Sequence, residues 1–218
     1  MTRFSVRRLT TTAILIAASV ILAFLSDVLN LRLPFGGSVT LASMLPLVVI
    51  AYLYGTRWGL ASAFCYSLLQ LLVLSWRTVA AFFIPDSDSY LILWQALCVC
   101  LLDYVVAYTV VGFSGVCRKM DRRLALPLGA AIGTALRYGV HVVSGAIFYG
   151  AWAEWFFEEG SALPQAFNAF FLQHFAGGAL SVAYSAVYNG LYMLPEIVLT
   201  TVCAAAVSFL PQLGERKQ

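Results

Sequence analysis

Charge is what this sequence has least of. Only 11% of its 218 residues are Asp, Glu, Lys or Arg, whereas 61% are hydrophobic, and the mean hydropathy is +0.87. A soluble domain carries about 25% charged residues, so this composition excludes one and reads as an integral membrane protein. The net charge of +3 is small and dispersed, which excludes nucleic acid as a partner. The short alternating segments of a membrane β-barrel are missing; the apolar runs are long and rich in Leu, Ala and Val, as spanning helices require. Histidine occurs twice, at His141 and His174, with no His-x-x-x-His or Glu-x-x-His spacing, so no metal site is expected. The Gly-x-x-x-x-Gly-Lys-Ser/Thr phosphate loop is absent, and with it ATP hydrolysis by that route. Cys65, Cys98, Cys100, Cys117 and Cys203 include no Cys-x-x-Cys pair; they read as small buried hydrophobes rather than as a disulfide framework.

What is present are six apolar spans, about 9–27, 40–55, 57–76, 90–114, 124–150 and 178–209, forming one all-α membrane domain over residues 1–218. The first run is longer than a signal-peptide core and lacks a small-x-small cleavage site, so it reads as a retained helix. The second is short and contains Pro46, which predicts a tilted or irregular segment. The last exceeds the ~20 residues a bilayer requires, predicting tilt, a kink at Pro195 or protrusion. Arg3, Arg7, Arg8, Arg57, Arg118, Lys119, Arg122, Arg123, Arg216 and Lys217 fall on one set of connections. Arg32 and Arg77 stand on the other set with Asp86, Asp88, Glu154, Glu158 and Glu159. The positive-inside rule then puts both termini in the cytoplasm. The aromatic and acidic stretch 152–177 lies outside, as an interfacial helix, a lid over a cavity or a lipid-lying connector.

Polar residues inside the spans are the functional candidates, because an intramembrane charge needs a partner or a task. Arg137 and His141 are one helical turn apart, and Ser144, Gly145 and Phe148 continue their face. At 1.5 Å per residue, Asp103 lies about 20 Å below the outer start of span four and His141 about 14 Å below the outer end of span five. Tyr184 and Asn189 in span six come at about 9 and 16 Å. These four side chains from three helices are expected to line one outward-facing pocket. A structural ion pair between Arg137 and Glu196 is expected deeper in the bundle, leaving Asp103 free for a ligand. Ala13-x-x-x-Ala17 gives span one a face that another helix can approach closely. Gly112-Phe-Ser114-Gly is the string of the rhomboid intramembrane proteases. Ser114 falls at the inner end of span four, about 20 Å from the level of His141, which excludes a Ser–His dyad; the glycines around it read as a helix end.

Four segments in order resemble the substrate-binding S component of energy-coupling factor (ECF) vitamin transporters, in its thiamine-binding branch. They are Leu33-Pro-Phe-Gly-Gly-Ser-Val-Thr-Leu41, Leu102-Asp103-Tyr104, Arg137-Tyr-x-x-His141-x-x-Ser-Gly145-x-x-Phe148 and Tyr184-Ser-x-x-Tyr-Asn189-Gly-x-Tyr-Met-Leu-Pro-Glu196. The resemblance implies capture of thiamine, with no other cofactor, by a non-enzymatic subunit in a prokaryotic plasma membrane. Its partners would be a transmembrane coupling subunit, touched through Ala13 and Ala17, and two cytoplasmic ATPases. It implies ligand contacts from Asp103, Tyr104, His141, Tyr184 and Asn189, with Tyr149 where a Trp can stack on the vitamin. Gly36 and Gly37 leave the first outer loop without the aromatic some members place there. The chemistry suits the vitamin: a carboxylate matches the thiazolium or the amino hydrogens, Asn both donates and accepts, and aromatic faces attract a cation. A thiamine precursor remains open as ligand. So do a stand-alone carrier of a small cationic metabolite, an intramembrane enzyme and a purely structural multispan protein.

Overall fold

In the computed structural model, residues 6–29 and 39–213 are described. The lead-in 33–38 of the first outer loop, Arg3, Arg32 and the tail cations Arg216 and Lys217 fall outside them. The longer helices are α1 (Val6–Val28), α2 (Leu45–Tyr54), α3 (Thr56–Leu74), α5 (Leu93–Lys119), α6 (Arg122–Phe148) and α8 (Gly177–Val207). Between them lie α4 (Trp76–Ala81), short helical turns over 150–160 and α7 (Gln165–His174). Five of these are long and apolar enough to cross a membrane, and α2 is a sixth apolar helix of 10 residues. The longer helices overlap the apolar runs of the sequence, with ends shifted by up to five residues.

Helix α2 is the centre of the bundle. Residues 46–52 are all buried, and Met44, Leu47, Val48, Ile50 and Tyr52 form one core with Tyr66, Tyr108, Val111 and Leu126. At about 15 Å it is too short to cross a bilayer by itself. Pro46 lies in its first turn, where a missing N–H costs nothing, so the helix has no proline-induced irregularity. It ends at Gly55, whose φ of 89° suits glycine alone and lets α3 start at the next residue.

Three helices close on one another through glycine. A Cβ on Gly59 would sit 2.9 Å from the Gly112 carbonyl, and one on Gly133 would sit 2.8 Å from the Val111 carbonyl. Gly112 faces the Leu60 backbone and Gly129 the Ser114 carbonyl. Without a hydrophobic drive between helices in lipid, such close backbone approach is a principal source of packing energy. The expectation that Ser114 marks a helix end is therefore corrected. Helix α5 continues to Lys119 in tightened turns, and Ser114 is 2% exposed against α6.

Helix α1 buries hydroxyls beside the half-buried Leu15, Ile16 and Val20. Its buried residues are Thr12, Ser19 and Ser26, seven apart, whereas Ile14, Ile21, Phe24 and Val28 are exposed. Trp58 Nε1 donates to Thr12 Oγ1 at 2.9 Å, and Leu41 N donates to Ser26 Oγ at 2.8 Å. Ala13 and Ala17 lie on its exposed side. Of the cysteines only Cys117 is buried and Cys65 is exposed, so they are not uniformly interior. Helix α8 runs 31 residues through Pro195 as one element, about 46 Å at helical rise, longer than the ~30 Å hydrocarbon core.

Candidate functional site

The middle of α5 is wound as a π-helix over Cys100–Val106, between α-helical turns on either side. A wider turn of this kind re-aims side chains and is a frequent companion of functional sites. Asp103 and Tyr104 sit within it. The Asp103 carboxylate meets α6: His141 Nδ1 lies 3.0 Å from Oδ1, and Ser144 Oγ donates to Oδ2 at 3.0 Å. A carboxylate only accepts, so Nδ1 carries the hydrogen and a neutral His141 presents Nε2 as an acceptor. That Nε2 is buried with no partner. The side chains of His141 and Asp103 are 10% and 20% exposed, so the carboxylate retains an open edge beside a buried, idle imidazole nitrogen.

Helix α8 closes on the same turn of α6. Asn189 Nδ2 donates to the Ser185 carbonyl at 2.9 Å and to Ser185 Oγ at 3.1 Å, and reaches the His141 carbonyl at 3.4 Å. Ser185 Oγ donates to the Val142 carbonyl at 2.8 Å, and Tyr192 OH donates to Asn189 Oδ1. Gly145 permits this contact, since a Cβ there would meet Ser185 Oγ and lie 3.2 Å from Asn189 Nδ2. Tyr138 OH, donating to the Ala186 carbonyl at 2.7 Å, adds a second tie. Asp103, His141 and Asn189 therefore belong to one cluster drawn from three helices. Asn189 is held by its own scaffold and leaves one carbonyl lone pair uncommitted.

Aromatic rings adjoin the cluster toward the Tyr149 end of α6. Tyr149 joins two groups of packed side chains, one with Tyr104 and Phe148, the other with Phe156, Tyr184 and Tyr188. It lies within electrostatic reach of Asp103, Tyr184 and Tyr188. The Tyr184 ring centroid is 5.2 Å from Phe156 and 5.8 Å from Tyr188. The 152–177 stretch is helical for most of its length, and Phe156 and Phe157 pin it down at 1% exposure each. Phe157 stacks on Phe171 of α7 at 4.9 Å. Its outer surface carries exposed Trp152, Trp155, Phe167 and Phe170. The segment thus packs over the tyrosine wall and leaves an apolar surface exposed.

Two cavities lie elsewhere. A groove of about 650 Å³ runs along the outward side of α5 and α6, past Leu102, Val106, Gly139 and Val143, and one of about 280 Å³ lies beside Glu154 and Ser181. Neither is lined by the polar cluster.

The expected Arg137–Glu196 ion pair is not formed. Arg137 Nη2 donates to Tyr108 OH at 3.0 Å, and its guanidinium lies 4.2 Å from the Tyr108 ring centroid. Glu196 accepts instead from Thr40, through the backbone N–H at 2.6 Å and the side-chain hydroxyl. The two charges stay within electrostatic reach of each other. Thr40 lies at the far end of the sequence from Glu196, and nothing in its own neighbourhood marks it as a carboxylate's partner. Tyr108, Tyr188 and Tyr192 were also outside the expected set. The last two stand at one and three residues from Asn189, and the helical spacing of Ser185, Asn189 and Tyr192 was the available signal.

The thiamine transporter protein family model (Thia_YuaJ) matches residues 9–156. The chain is 28% identical over 214 residues to the thiamine transporter ThiT of Bacillus subtilis (strain 168), covering 93% of this chain and 89% of that one. Its fold matches a solved structure of ThiT from Listeria monocytogenes with a TM-score of 0.58 at 24% identity, over 92% of this chain and 97% of that chain. With the family match reaching from α1 through the Asp103–His141 pair to the start of the aromatic cap, the chain belongs to the thiamine transporter protein family.

Proposed function

We propose that this protein is the thiamine-binding S component of an ECF-type transporter, a multi-pass subunit of a prokaryotic plasma membrane. It takes the vitamin from outside for ATP-driven uptake by partner subunits. The observation that supports this reading best is the Asp103–His141–Ser144 cluster: a partly open carboxylate beside an unpartnered imidazole nitrogen, under a wall of tyrosines. Asp103 receives the cationic or amino-bearing part of the vitamin, and His141 Nε2 accepts one of its N–H or O–H groups. Tyr104, Tyr149 and Tyr184 supply ring faces, worth ~2 kcal/mol or more for a desolvated cation. Asn189 offers its remaining carbonyl lone pair. In this reading the chain crosses the bilayer six times, α2 together with the segment leading into it, with both termini in the cytoplasm, as the distribution of Arg and Lys favours. The exposed Ala13–Ala17 face of α1 docks the transmembrane coupling subunit, which carries two cytoplasmic ATPases.

Tryptophan-fluorescence titration of the purified chain with thiamine tests the reading. Trp152 and Trp155 on the cap, and Trp94 at 6.0 Å from Phe148, report closure around the ligand. Saturable quenching by thiamine is the expected result; a flat titration overturns the proposal. Uptake by cells lacking the coupling subunit and ATPases would instead identify a stand-alone carrier.

A further inference from the structure

Glu196 is 1% exposed, carries a carboxylate into the bundle and has no part in the ligand contacts proposed for Asp103 and His141. It lies two helical turns along α8 from Asn189, on the stripe that also carries Tyr192. Both of its oxygens accept from one residue, Thr40, and Oε1 also accepts from Thr200 Oγ1 at 3.5 Å. The segment around Thr40 is held from other sides too. Leu41 N is bonded to Ser26 of α1, and Thr40 Oγ1 is 2.8 Å from Ser43 Oγ. Ala42 adopts a φ of 52°, a conformation that a non-glycine residue keeps only where its surroundings impose it. This is a built attachment of the α2 lead-in to α8.

Arg137 sharpens the point. It is 5% exposed, and its Nε and Nη1 are buried without partners although Glu196 lies within electrostatic reach. A buried guanidinium whose donors are left idle is costly in a low-dielectric interior. The carboxylate is thus positioned by Thr40 at the expense of the stronger ionic contact. The apolar contacts joining α8 to the α2 core lie further along, at Ala204 and Val207. The Glu196–Thr40 bonds therefore add a tie between α8 and the α2 lead-in one helical turn from Tyr192, whose hydroxyl holds Asn189.

We propose that Glu196 is a positioning residue for vitamin capture, clasping Thr40 so as to fix the α2 lead-in against the site-bearing face of α8, with Arg137 its alternative partner when the clasp opens. The proposal rests on the thiamine-binding reading for its functional consequence, and the clasp itself is measurable without the vitamin.

Hydrogen exchange of residues 39–44 in the full-length protein reads the clasp directly. The Thr40 amide is expected to be protected in the wild type and to exchange at least tenfold faster in Glu196→Gln, the scale of one hydrogen bond to a charged acceptor. Equal exchange overturns the clasp. Stopped-flow fluorescence with thiamine then reads its consequence. Thr40→Val, which keeps shape and removes the hydroxyl donor, should raise the dissociation rate roughly tenfold, and Thr40→Ser should restore it. Thr40→Val should add nothing in a Glu196→Gln background. Unchanged rates, or a lowered melting temperature with wild-type rates, assign Glu196 a structural role and sink the capture role. If the wild type itself ignores thiamine while the exchange result holds, it is the vitamin-binding reading that has failed, and the capture role goes with it.

Discussion

Asp103 commits one lone pair of each oxygen to α6, through His141 and Ser144, and keeps the others for whatever approaches its open edge. Replacing it with Asn removes the charge and places an amide against two donors. Thiamine affinity in isothermal titration should fall at least tenfold in Asp103→Asn while the protein stays folded. Ser144→Ala withdraws only one neutral donor and should cost a few-fold, in line with about 0.5–1.5 kcal/mol for an ordinary hydrogen bond. Gly145→Ala places a methyl against Ser185 Oγ and should loosen Asn189 with it. Much of this cluster was legible in the sequence, because depth counted along a helix brings Asp103, His141 and Asn189 to similar levels. Glu196 was misassigned for an equally physical reason. Opposite charges suggest a pair, but a backbone N–H and a hydroxyl 156 residues away are invisible to any count along a helix.

At the scale of elements, the π-wound stretch of α5 decides where Asp103 points. A π-turn holds one residue more than the α-turn it replaces, so deleting the exposed Leu101 should restore a regular helix and swing Asp103 off His141. Circular dichroism should remain helical while thiamine binding is lost. The glycine seam makes a different demand. Gly112→Leu drives a side chain into the Leu60 backbone and should lower the melting temperature in detergent by roughly 5 °C or more, or prevent assembly. The apolar runs announced the long helices because lipid requires ~20 such residues. The same composition hid the winding of α5, the central position of α2 and the seam at Ser114. Glycine reads alike at a helix end and at a close crossing, and only the neighbouring helix distinguishes them.

For the whole molecule, the division of labour between the ligand cluster and the α1 surface has a testable form. Ala17→Leu enlarges the exposed face of α1, which carries none of the proposed ligand contacts. Thiamine titration should be unchanged in this variant, while vitamin uptake by cells containing the partner subunits should drop severalfold or more. Parallel losses of binding and uptake would contradict the assignment of that face to a partner. Reporter fusions at the two ends should both give cytoplasmic signals if the arginine-rich connections set orientation as expected.

The burial pattern of α1 reverses a familiar rule of mutagenesis. Thr12, Ser19 and Ser26 are its most buried residues, beside the half-buried Leu15, Ile16 and Val20, whereas Ile14, Ile21, Phe24 and Val28 are exposed, so a saturation scan of this helix would tolerate exchange among Leu, Ile, Val and Phe at the exposed positions. The buried hydroxyl positions would emerge among the intolerant ones, and a hydrophobicity-based stability score would undervalue them.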